Sequence, residues 1–358
     1  MSDNKHKKIA IYSPYTTILG GGERYVLSIA SLLSSDNTVT VFASSQIKKT
    51  AEKFLGIDLE KVNFIPPDIF TSGNRLQKFQ VLKKYDLIFY VTDGSIFYPF
   101  AKSNYLIIQS PDHIPVFNLS NKIKMHNWQI LCYSEFVKKF ISQRWSNKIH
   151  ILPPFIDPLT FKTTQKEKKN IILSVGRFFS HLHNKKHDVL IKVFQNYFKD
   201  YFESWRLVII GGTSDLDSQE YLQYLKSLVK KAPIEIYDNL PYARLKQYYR
   251  LAKIYWHAAG FGEDLAKNPQ KAEHFGITTV EAMAAGVVPL VFHAGGQIEI
   301  VDENKNGYFW KTEDELTTKT LKIMKDDSLR QQISQEAVYR ANDYSPPVFY
   351  EKLKRIID

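Results

Sequence analysis

Residues 262–299 read GEDLAKNPQKAEHFGITTVEAMAAGVVPLVFHAGGQIE and carry the strongest pattern in the chain. Two carboxylates, Glu273 and Glu281, stand eight positions apart, and a run of small residues typical of a helix follows the second. Residues 287–291 then predict a short buried strand, and the Gly-Gly pair beyond it predicts a turn. The stretch is therefore predicted as loop, helix, strand and loop, with one acid before the helix and one inside its first turns.

The same stretch suits a ligand that carries both a phosphate and sugar rings. Gly276 has no Cβ, so the backbone can approach a ligand closely there. Thr278 or Thr279 is predicted as the N-cap of the helix, whose free N–H groups would bind a phosphate. Glu281 could accept hydrogen bonds from ribose hydroxyls, while Glu273 could face a sugar. The order fits a nucleotide sugar lying across the helix start; the alternative is a capping glutamate plus an exposed loop glutamate.

Two segments resemble a known family. EHFGITTVEAMAAGVVPLV, residues 273–291, resembles the E-x7-E signature of the retaining family 4 glycosyltransferases, which have the GT-B fold. WHAAGFG, residues 256–262, resembles a bacterial subgroup of that family. The resemblance implies an α/β protein with two Rossmann-like α/β/α domains that face a central cleft, and a C-terminal helix that crosses back to the first domain.

The order of predicted elements agrees with that architecture. Both halves of the chain alternate predicted strands with predicted helices, which indicates parallel sheets covered on both faces. Residues 153–170 are proline-rich and then charged, and they predict a linker. The resemblance implies an acceptor domain at residues 1–155, joined by a helix of about residues 343–358, and a nucleotide-sugar domain at residues 170–342.

The composition is that of an ordinary globular protein with one large or two medium domains. The 358 residues are 44% hydrophobic and include one cysteine, Cys132, which excludes an intramolecular disulfide and is compatible with a reducing cytoplasm. There is no apolar signal region at the N-terminus and no run of about 18 apolar residues. We therefore expect a cytoplasmic protein.

Most of the net charge of +11 lies in the first half of the chain. Residues 1–155 hold 19 Lys and Arg against 11 Asp and Glu, whereas residues 156–358 hold 29 against 26. A basic first half suggests an anionic partner, such as a phosphorylated acceptor or an anionic membrane surface, or else serves solubility alone. The lysines are not interleaved with aromatic residues, so we expect no nucleic-acid partner. Peripheral association with the inner face of the cell membrane stays open.

A glycine triplet and a later polar pair mark the predicted acceptor domain. Gly20, Gly21 and Gly22 lie between a strand and a helix, where backbone N–H groups can bind phosphate; a flexible turn is the alternative. The resemblance implies that this loop contacts the donor diphosphate or the acceptor. Many family members carry a histidine where this chain has Gln109, which cannot act as a base. His113, four residues on, could titrate near neutral pH or be structural.

Cations are expected where a diphosphate binds. Residues 176–188 resemble the G-R and K-G-H-D motifs of the family, so Arg177 and Lys185 match the two cations that hold the donor diphosphate. Charge-assisted bonds from them would stabilise the departing diphosphate. Lys186 stands where glycine is usual, so the assignment could shift by one residue; two solvated lysines are the alternative. Asn239 lies in a turn that the family places beside the nucleobase.

Asp215 and Asp217 match the D-x-D metal signature of the GT-A glycosyltransferases only superficially. We interpret them as N-cap residues of a helix predicted at residues 219–231. A divalent ion would need further oxygen ligands nearby, and the sequence does not indicate any. We therefore expect no metal site.

The resemblance implies transfer of a hexosyl unit with retention of anomeric configuration, in which the leaving diphosphate helps to deprotonate the acceptor. Such chemistry depends on positioning and electrostatic stabilisation and needs neither metal nor cofactor. The expected donor is GDP-mannose, with UDP-hexoses next, and the expected acceptor is a hydroxyl of a glycan or a lipid-linked glycan. The alternatives are an NAD-type oxidoreductase, against which the lack of a G-x-G-x-x-G motif argues, and a non-catalytic polysaccharide- or membrane-surface-binding module.

The predicted site residues fall into three groups. The predicted catalytic residues are Glu273, Lys185 and Arg177. The predicted donor-binding residues are Glu281, Phe275, Gly276, Ile277, Thr278, Gly20, Gly21, Gly22, Asn239, Gly295 and Gly296. Gln109 and His113 are candidate contacts for the acceptor or the sugar.

Overall fold

The chain folds into two compact units. A computed structural model describes residues 6–15, 21–162, 168–181 and 184–358. The first unit contains the residues up to Pro153 together with Leu353–Asp358, and the second unit is Pro154–Lys352. Each unit has its own parallel sheet and its own apolar core.

The first unit is built on a parallel sheet that has seven strands among the described residues. They are β1 Lys8–Tyr12, β2 Thr38–Phe42, β3 Asn63–Ile65, β4 Leu87–Val91, β5 Ser103–Ile108, β6 Gln129–Cys132 and β7 Ile149–Ile151. Their spatial order is β3-β2-β1-β4-β5-β6-β7. The central strands are continuous apolar runs because a parallel sheet is covered by helices on both faces.

The second unit repeats this plan with six strands among its described residues. They are β8 Lys169–Val175, β9 Arg206–Gly211, β10 Ile234–Asp238, β11 Ala252–His257, β12 Val288–Phe292 and β13 Tyr308–Trp310. All pair in parallel in the order β10-β9-β8-β11-β12-β13.

Helices follow most strands, which gives the alternation predicted from the sequence. The first unit has α1 Gly21–Leu33, α2 Ser45–Leu55, α3 Asp68–Thr71, α4 Arg75–Leu82, α5 Leu119–Met125 and α6 Glu135–Ser142. The second has α7 His187–Tyr197, α8 Leu216–Leu228, α9 Tyr242–Leu251, α10 Ile277–Ala284, α11 Gln297–Ile300, α12 Glu313–Lys325 and α13 Asp327–Ala341. Of the helices in the described ranges, none has the length and apolarity that crossing a bilayer requires. The predicted α/β class with two parallel sheets is confirmed.

The last helix, α14 Pro346–Ile357, begins in the second unit and ends in the first. Its final residues are bonded within the first unit. The Lys7 ammonium donates to the Ile357 carbonyl at 3.0 Å, and the Tyr105 hydroxyl donates to the Ile356 carbonyl at 2.9 Å. The first unit is therefore completed by residues that follow the whole of the second.

The strand order of each sheet reverses once beside its first strand. The reversal falls between β1 and β4 in the first sheet and between β8 and β11 in the second. Crevices outside the carboxyl ends of strands at such a point are where ligands bind in open α/β sheets. The strand order of each sheet therefore indicates the edge at which a ligand is expected.

Candidate active site

The carboxyl ends of β8 and β11 meet at the switch point of the second sheet. β8 runs into Gly176 and Arg177, and β11 ends at His257. A Cβ on Gly176 would lie 2.6 Å from Lys185 Cγ, so the lysine side chain passes directly over this glycine. Because glycine has no side chain, there is room for the Lys185 side chain to extend across it to Glu273.

Glu273 is the centre of the site. Its Oε2 accepts hydrogen bonds from Lys185 Nζ at 2.6 Å and from His257 Nε2 at 2.8 Å. Burial would raise the pKa of this carboxyl, but the Lys185 ammonium and the His257 bond hold the pKa well below its ordinary value of 4.5. Glu273 is therefore ionised at neutral pH. Its side chain is only 13% exposed, so the alternative of an exposed loop glutamate is wrong.

His257 is a residue that the site prediction omitted. Burial lowers the pKa of its imidazole in spite of the Glu273 bond, so the ring is neutral. Because an ionised carboxylate can only accept, Nε2 carries the proton and donates to Glu273. His257 ends β11 inside the WHAAGFG segment, and its place at the strand end was the signal that could have identified it.

The start of α10 differs from the prediction. Its N-cap is Gly276, at φ 110°, and no side chain caps the helix. The expectation of a cap at Thr278 or Thr279 is wrong because the left-handed glycine lets the chain enter the helix earlier. Ile277 is the first helical residue, which places Glu281 in the second turn of the helix. The N–H groups at this end have no side-chain cap, and free N–H groups at a helix start favour a bound anion.

Glu281 is buried beneath the helix start. Its Oε2 accepts a hydrogen bond from the Tyr249 hydroxyl at 2.9 Å. Burial, and then the Glu281 charge, raise the pKa of Tyr249 well above its ordinary value, so this hydroxyl stays protonated and donates. Tyr255 donates to Thr278 Oγ1 at 2.8 Å. Its pKa is raised by burial and by both Glu273 and Glu281, which shows that the two acids lie near one buried tyrosine.

The Gly295–Gly296 pair packs against the loop that carries Glu273. Gly296 N donates to the Glu273 carbonyl at 2.7 Å, and Gly295 has φ 65°. A Cβ on Gly296 would lie 2.6 Å from the Phe275 Cα. The close approach made by these glycines is to the chain's own backbone. The Phe275 ring lies 5.4 Å from the Tyr344 ring within the core, so only the backbone of Phe275 could face a ligand.

Lys186 does not share the partner of its neighbour. Its Nζ lies 2.5 Å from Glu263 Oε1, and Lys271 Nζ lies 2.7 Å from Glu263 Oε2. Burial opposes ionisation of Glu263, but the bonds from Lys186 and then Lys271 lower its pKa. The alternative of two solvated lysines at 185 and 186 is therefore wrong. Lys186 has φ 55°, a left-handed conformation that explains why glycine is usual at this position.

Arg177 and Asn239 lie at the same edge of the second sheet. Arg177 is exposed, and its guanidinium stacks 4.5 Å from the Phe179 ring centre. Asn239, at φ 50°, follows β10, and its Nδ2 donates to Thr213 Oγ1 at 2.8 Å. The carboxyl ends of β8 and β10 thus place both residues on the ligand side of the sheet.

Of the two aspartates in the D-x-D pair, the first caps a helix as predicted and the second does not. Asp215 accepts from Ser218 N at 2.8 Å and caps α8, which begins at Leu216, three residues before the predicted start. Asp217 accepts from Ser180 Oγ at 2.5 Å. Across the described ranges, no group of three or more His, Cys, Asp and Glu side chains is arranged to hold a metal ion.

The switch point of the first sheet holds the remaining predicted residues. Gly20 lies outside the described residues, while Gly21 and Gly22 open α1. A Cβ on Gly22 would lie 2.7 Å from the Gln109 Oε1, so these two residues are in contact. Gln109 Nε2 is buried and has no partner among the described residues. The first unit therefore brings two of the predicted positions together.

His113 packs on Tyr15 in the same place. The two rings are stacked with centres 5.6 Å apart, and the Tyr15 hydroxyl is 3.4 Å from His113 Nε2. Burial raises the pKa of Tyr15 to about 12, and the charges of Asp93, Asp112 and Glu23 add to that shift. This edge of the basic first unit is therefore locally acidic.

Comparison with solved structures supports the fold over nearly the whole chain. The glycosyltransferase from Rickettsia africae ESF-5 superposes with a TM-score of 0.75 at 18% identity, over 99% of this chain and 98% of that one. Anabaena HepE in complex with UDP gives 0.74 at 16% identity, over 98% and 99% of the two chains. HepE with UDP-glucose gives 0.73 at 16% identity over the same shares.

Curated relatives match part of the chain only. The Homo sapiens GDP-Man:Man(3)GlcNAc(2)-PP-Dol alpha-1,2-mannosyltransferase is 29% identical over 188 residues, which are 48% of this chain and 35% of that protein. The probable sucrose-phosphate synthase of Thermosipho melanesiensis is 31% identical over 183 residues, which are 49% of this chain and 40% of that protein. The matched stretch thus spans two fifths or less of these two relatives.

The family model for glycosyl transferases group 1 matches residues 156–339, more than half of the chain. This range contains every predicted site residue of the second unit. The match leaves no basis for the NAD-type oxidoreductase alternative. The chain has the GT-B fold, and it belongs to the glycosyl transferases group 1 family.

Proposed function

We propose that this protein transfers a hexosyl unit from a nucleoside diphosphate sugar to a hydroxyl acceptor with retention of anomeric configuration, as a member of family 4. One observation carries the proposal. An ionised, buried Glu273, held by Lys185 at 2.6 Å and His257 at 2.8 Å, lies directly before the uncapped start of α10. A carboxylate beside an anion site is what a sugar joined to a phosphate requires.

The diphosphate would lie between the helix start and the cations. The N–H groups of Ile277 and Thr278 point out of an uncapped helix end, and Arg177 and Lys185 lie at the carboxyl end of β8. As the glycosidic bond breaks, negative charge builds on the departing diphosphate. Preorganised donors and cations stabilise that charge more than they stabilise the bound donor, so they accelerate the reaction.

Glu273 would orient the sugar. Lys185 and His257 both bond Oε2, and no described group bonds Oε1. Oε1 can therefore accept from a sugar hydroxyl while the carboxylate stays fixed. A neutral His257 adds orientation without adding charge, so Lys185 alone balances the buried acid.

Glu281 would bind the ribose, with Tyr249 holding its carboxylate in place. Asn239 would lie beside the nucleobase. In the first unit, Gln109 and His113 would contact the acceptor, and the leaving diphosphate would take the acceptor proton. We propose that the reaction needs no metal and no cofactor, because Arg177 and Lys185 supply the positive charge.

For the donor we favour GDP-mannose, with UDP-hexoses next. The first choice is supported by the similarity to GDP-mannose-dependent mannosyltransferases, and the second by the fold shared with HepE, solved with UDP and UDP-glucose. We propose a glycan or lipid-linked glycan as the acceptor. The buried thiol of Cys132 is compatible with the cytoplasmic location that we propose.

The test is a donor screen on the purified protein. Thermal unfolding is measured with GDP, UDP and their sugar conjugates, because a ligand that binds only the folded state raises the unfolding temperature. Release of nucleoside diphosphate is then measured with each stabilising donor. We expect one donor series to stabilise the protein and to be turned over. Stabilisation without any release would instead support the non-catalytic binding module. The absence of both stabilisation and release with every donor would contradict the proposal.

A further inference from the structure

Four large apolar side chains within eight residues of the first unit are exposed to solvent. They are Val116, Phe117, Leu119 and Ile123, which are 67%, 58%, 76% and 58% exposed. A single exposed apolar residue is ordinary, whereas several that adjoin on one surface mark a place of interaction. These side chains lie around the start of α5.

The backbone beneath these side chains is held in place. Asn118 caps α5 by accepting from Asn121 N at 2.8 Å, and Asn121 Nδ2 donates to the Val116 carbonyl at 2.8 Å. The indole of Trp145 donates to the Pro115 carbonyl at 3.0 Å. These local hydrogen bonds hold the backbone of the turn that carries the exposed apolar side chains.

A second pair of bonds ties the same segment to its neighbours. Arg144 Nη1 donates to the Ile114 carbonyl at 3.0 Å, and Asn147 Nδ2 donates to the Met125 carbonyl at 2.8 Å. The Phe117 ring lies 5.2 Å from the Trp145 ring yet keeps most of its surface in water. The exposed apolar surface is thus a built feature of the folded unit.

The same segment carries cationic side chains. Lys122 and Lys124 flank the exposed Ile123 on α5. A pocket of about 460 Å³ opens beside them, and its lining includes Phe117, Lys122, His126, Arg144 and Trp145. Cationic groups therefore stand next to the apolar ones.

We propose that this surface, residues 116–126 with the adjoining pocket, docks the enzyme on an anionic lipid bilayer. The exposed apolar side chains enter the boundary between headgroups and acyl chains, and Lys122 and Lys124 face the anionic headgroups. Arg144 and His126 line a pocket suited to a lipid phosphate. We favour a bilayer over a protein partner because its anionic headgroups lie directly above its apolar acyl chains. This order complements the exposed Ile123, which has a lysine on each side in the sequence. The inference does not depend on the donor or the acceptor proposed above.

The experiment is vesicle flotation of the full chain. We expect it to float with vesicles of phosphatidylcholine mixed with phosphatidylglycerol, to remain behind with phosphatidylcholine alone, and to be released by added salt. Leu119→Gln combined with Ile123→Gln should lower the partition constant roughly tenfold or more, because less apolar surface enters the bilayer. Lys122→Gln combined with Lys124→Gln should lower it to a similar extent, roughly tenfold.

Leu216→Gln is the matched control. Leu216 is also 76% exposed and is also the first residue of a helix, α8, in the second unit. This variant should float like the wild type, and unchanged unfolding temperatures would verify that all variants fold. Failure of the wild type to bind anionic vesicles, or equal binding by the Leu119→Gln/Ile123→Gln variant, would overturn the proposal. A wild-type dimer in solution that the same variant abolishes, without vesicle binding, would identify a second copy as the occupant instead.

Discussion

Two adjacent lysines in the candidate site have separate carboxylate partners. Lys185 bonds Glu273, whereas Lys186 bonds Glu263. All four side chains are largely buried, so each charge depends on its own counter-charge rather than on water. This separation bears on the question of which lysine holds the diphosphate. Lys185 lies over Gly176 and beside the carboxyl end of β8, so the geometry favours the assignment made without a shift.

Lys185→Ala should reduce turnover by roughly one hundred- to one thousand-fold, because one stabilising cation is lost from the departing diphosphate. Lys186→Gly should leave most of the turnover, because glycine adopts φ 55° freely and relieves about 1 kcal/mol of backbone strain. Steady-state kinetics of both variants with the same donor measures this difference. A larger loss in Lys186→Gly than in Lys185→Ala would move the diphosphate contact to residue 186.

The depressed pKa of Glu273 makes the stability of the protein depend on pH. A carboxyl whose pKa is lower in the folded state contributes stability that is fully present above its unfolded pKa, near 4.5, and is lost as the pH falls through the folded value. The free energy of unfolding should therefore fall more steeply below pH 4.5 in the wild type than in Glu273→Gln. Urea unfolding of both proteins at stepwise lower pH measures it. Parallel curves would show that the ion pair adds no stability.

At neutral pH the same Glu273→Gln variant should also lose most of its turnover while remaining folded. The amide keeps the shape of the side chain but no longer balances the Lys185 ammonium, and the sugar loses a charged acceptor. Donor turnover and the unfolding temperature are measured side by side. Wild-type turnover in this variant would remove Glu273 from the site.

Local pattern predicted some of these residues and missed others for a physical reason. Glu273 and Glu281 were predictable because both stand at a fixed spacing around one helix. Tyr249 was not, because its role comes from a contact made across 32 residues of sequence, and the position of His257 at a strand end did not reveal its partner, which lies 16 residues further on. Such contacts depend on which strands and helices are neighbours, and that order is set by topology rather than by local composition.

The loop before α10 is positioned by the turn that precedes α11. The glycines at 295 and 296 approach the backbone of residues 273–275 so closely that a Cβ at either position would clash. The turn therefore supports the Glu273 loop from behind and fixes where the helix start points. The two positions have to be glycine because the protein's own backbone packs against them.

Gly296→Ala should lower turnover and reduce the free energy of unfolding by about 1–3 kcal/mol, because the new methyl group would meet Phe275 Cα at 2.6 Å. Gly212→Ala is the control for stability. A Cβ there would meet Asn239 Oδ1 at an ordinary 3.6 Å, and the change should cost little. Equal losses of stability in the two variants would contradict the role given to the 295–296 turn.

Two experiments test whether the D-x-D pair has a structural role and whether the reaction is independent of metal. Asp215→Ala should reduce the free energy of unfolding by about 1 kcal/mol through loss of the capping box. Treatment of the wild type with EDTA should leave its turnover unchanged. A strict requirement for a divalent ion would contradict the metal-independent proposal and would make Asp215 and Asp217 candidate metal ligands again.

Helix and strand positions were largely predictable, and their ends less so. The helix at residues 242–251 lies between two signals that the sequence displays, because Pro241 precedes it and an apolar strand follows at once. The predicted start of α8 was three residues too late, because Asp215 and not Asp217 accepts the capping hydrogen bond. The start of α10 was missed because Gly276 in a left-handed conformation replaces a side-chain cap. Cap geometry depends on one backbone angle, which composition does not specify.

The two units share one plan, a parallel sheet with a single reversal of strand order. The point of reversal in the second unit has cations, a buried acid and a helix start beside it. The point of reversal in the first unit has Tyr15, His113 and three nearby carboxylates. The net charge of the first half suggested an anionic partner of that unit, or a role in solubility alone, and neither possibility identified this edge. Charge summed over a sequence does not reveal which surface bears it.

The helix α14 has a consequence for synthesis on the ribosome. Residues 353–358 close the first unit, yet they emerge only after Pro154–Lys352 has been translated. At about 5–20 residues per second, the nascent first unit waits roughly 10–40 s for its final segment. During that interval Lys7 and Tyr105 lack their carbonyl partners, so maturation of the earlier half is timed by production of the later one.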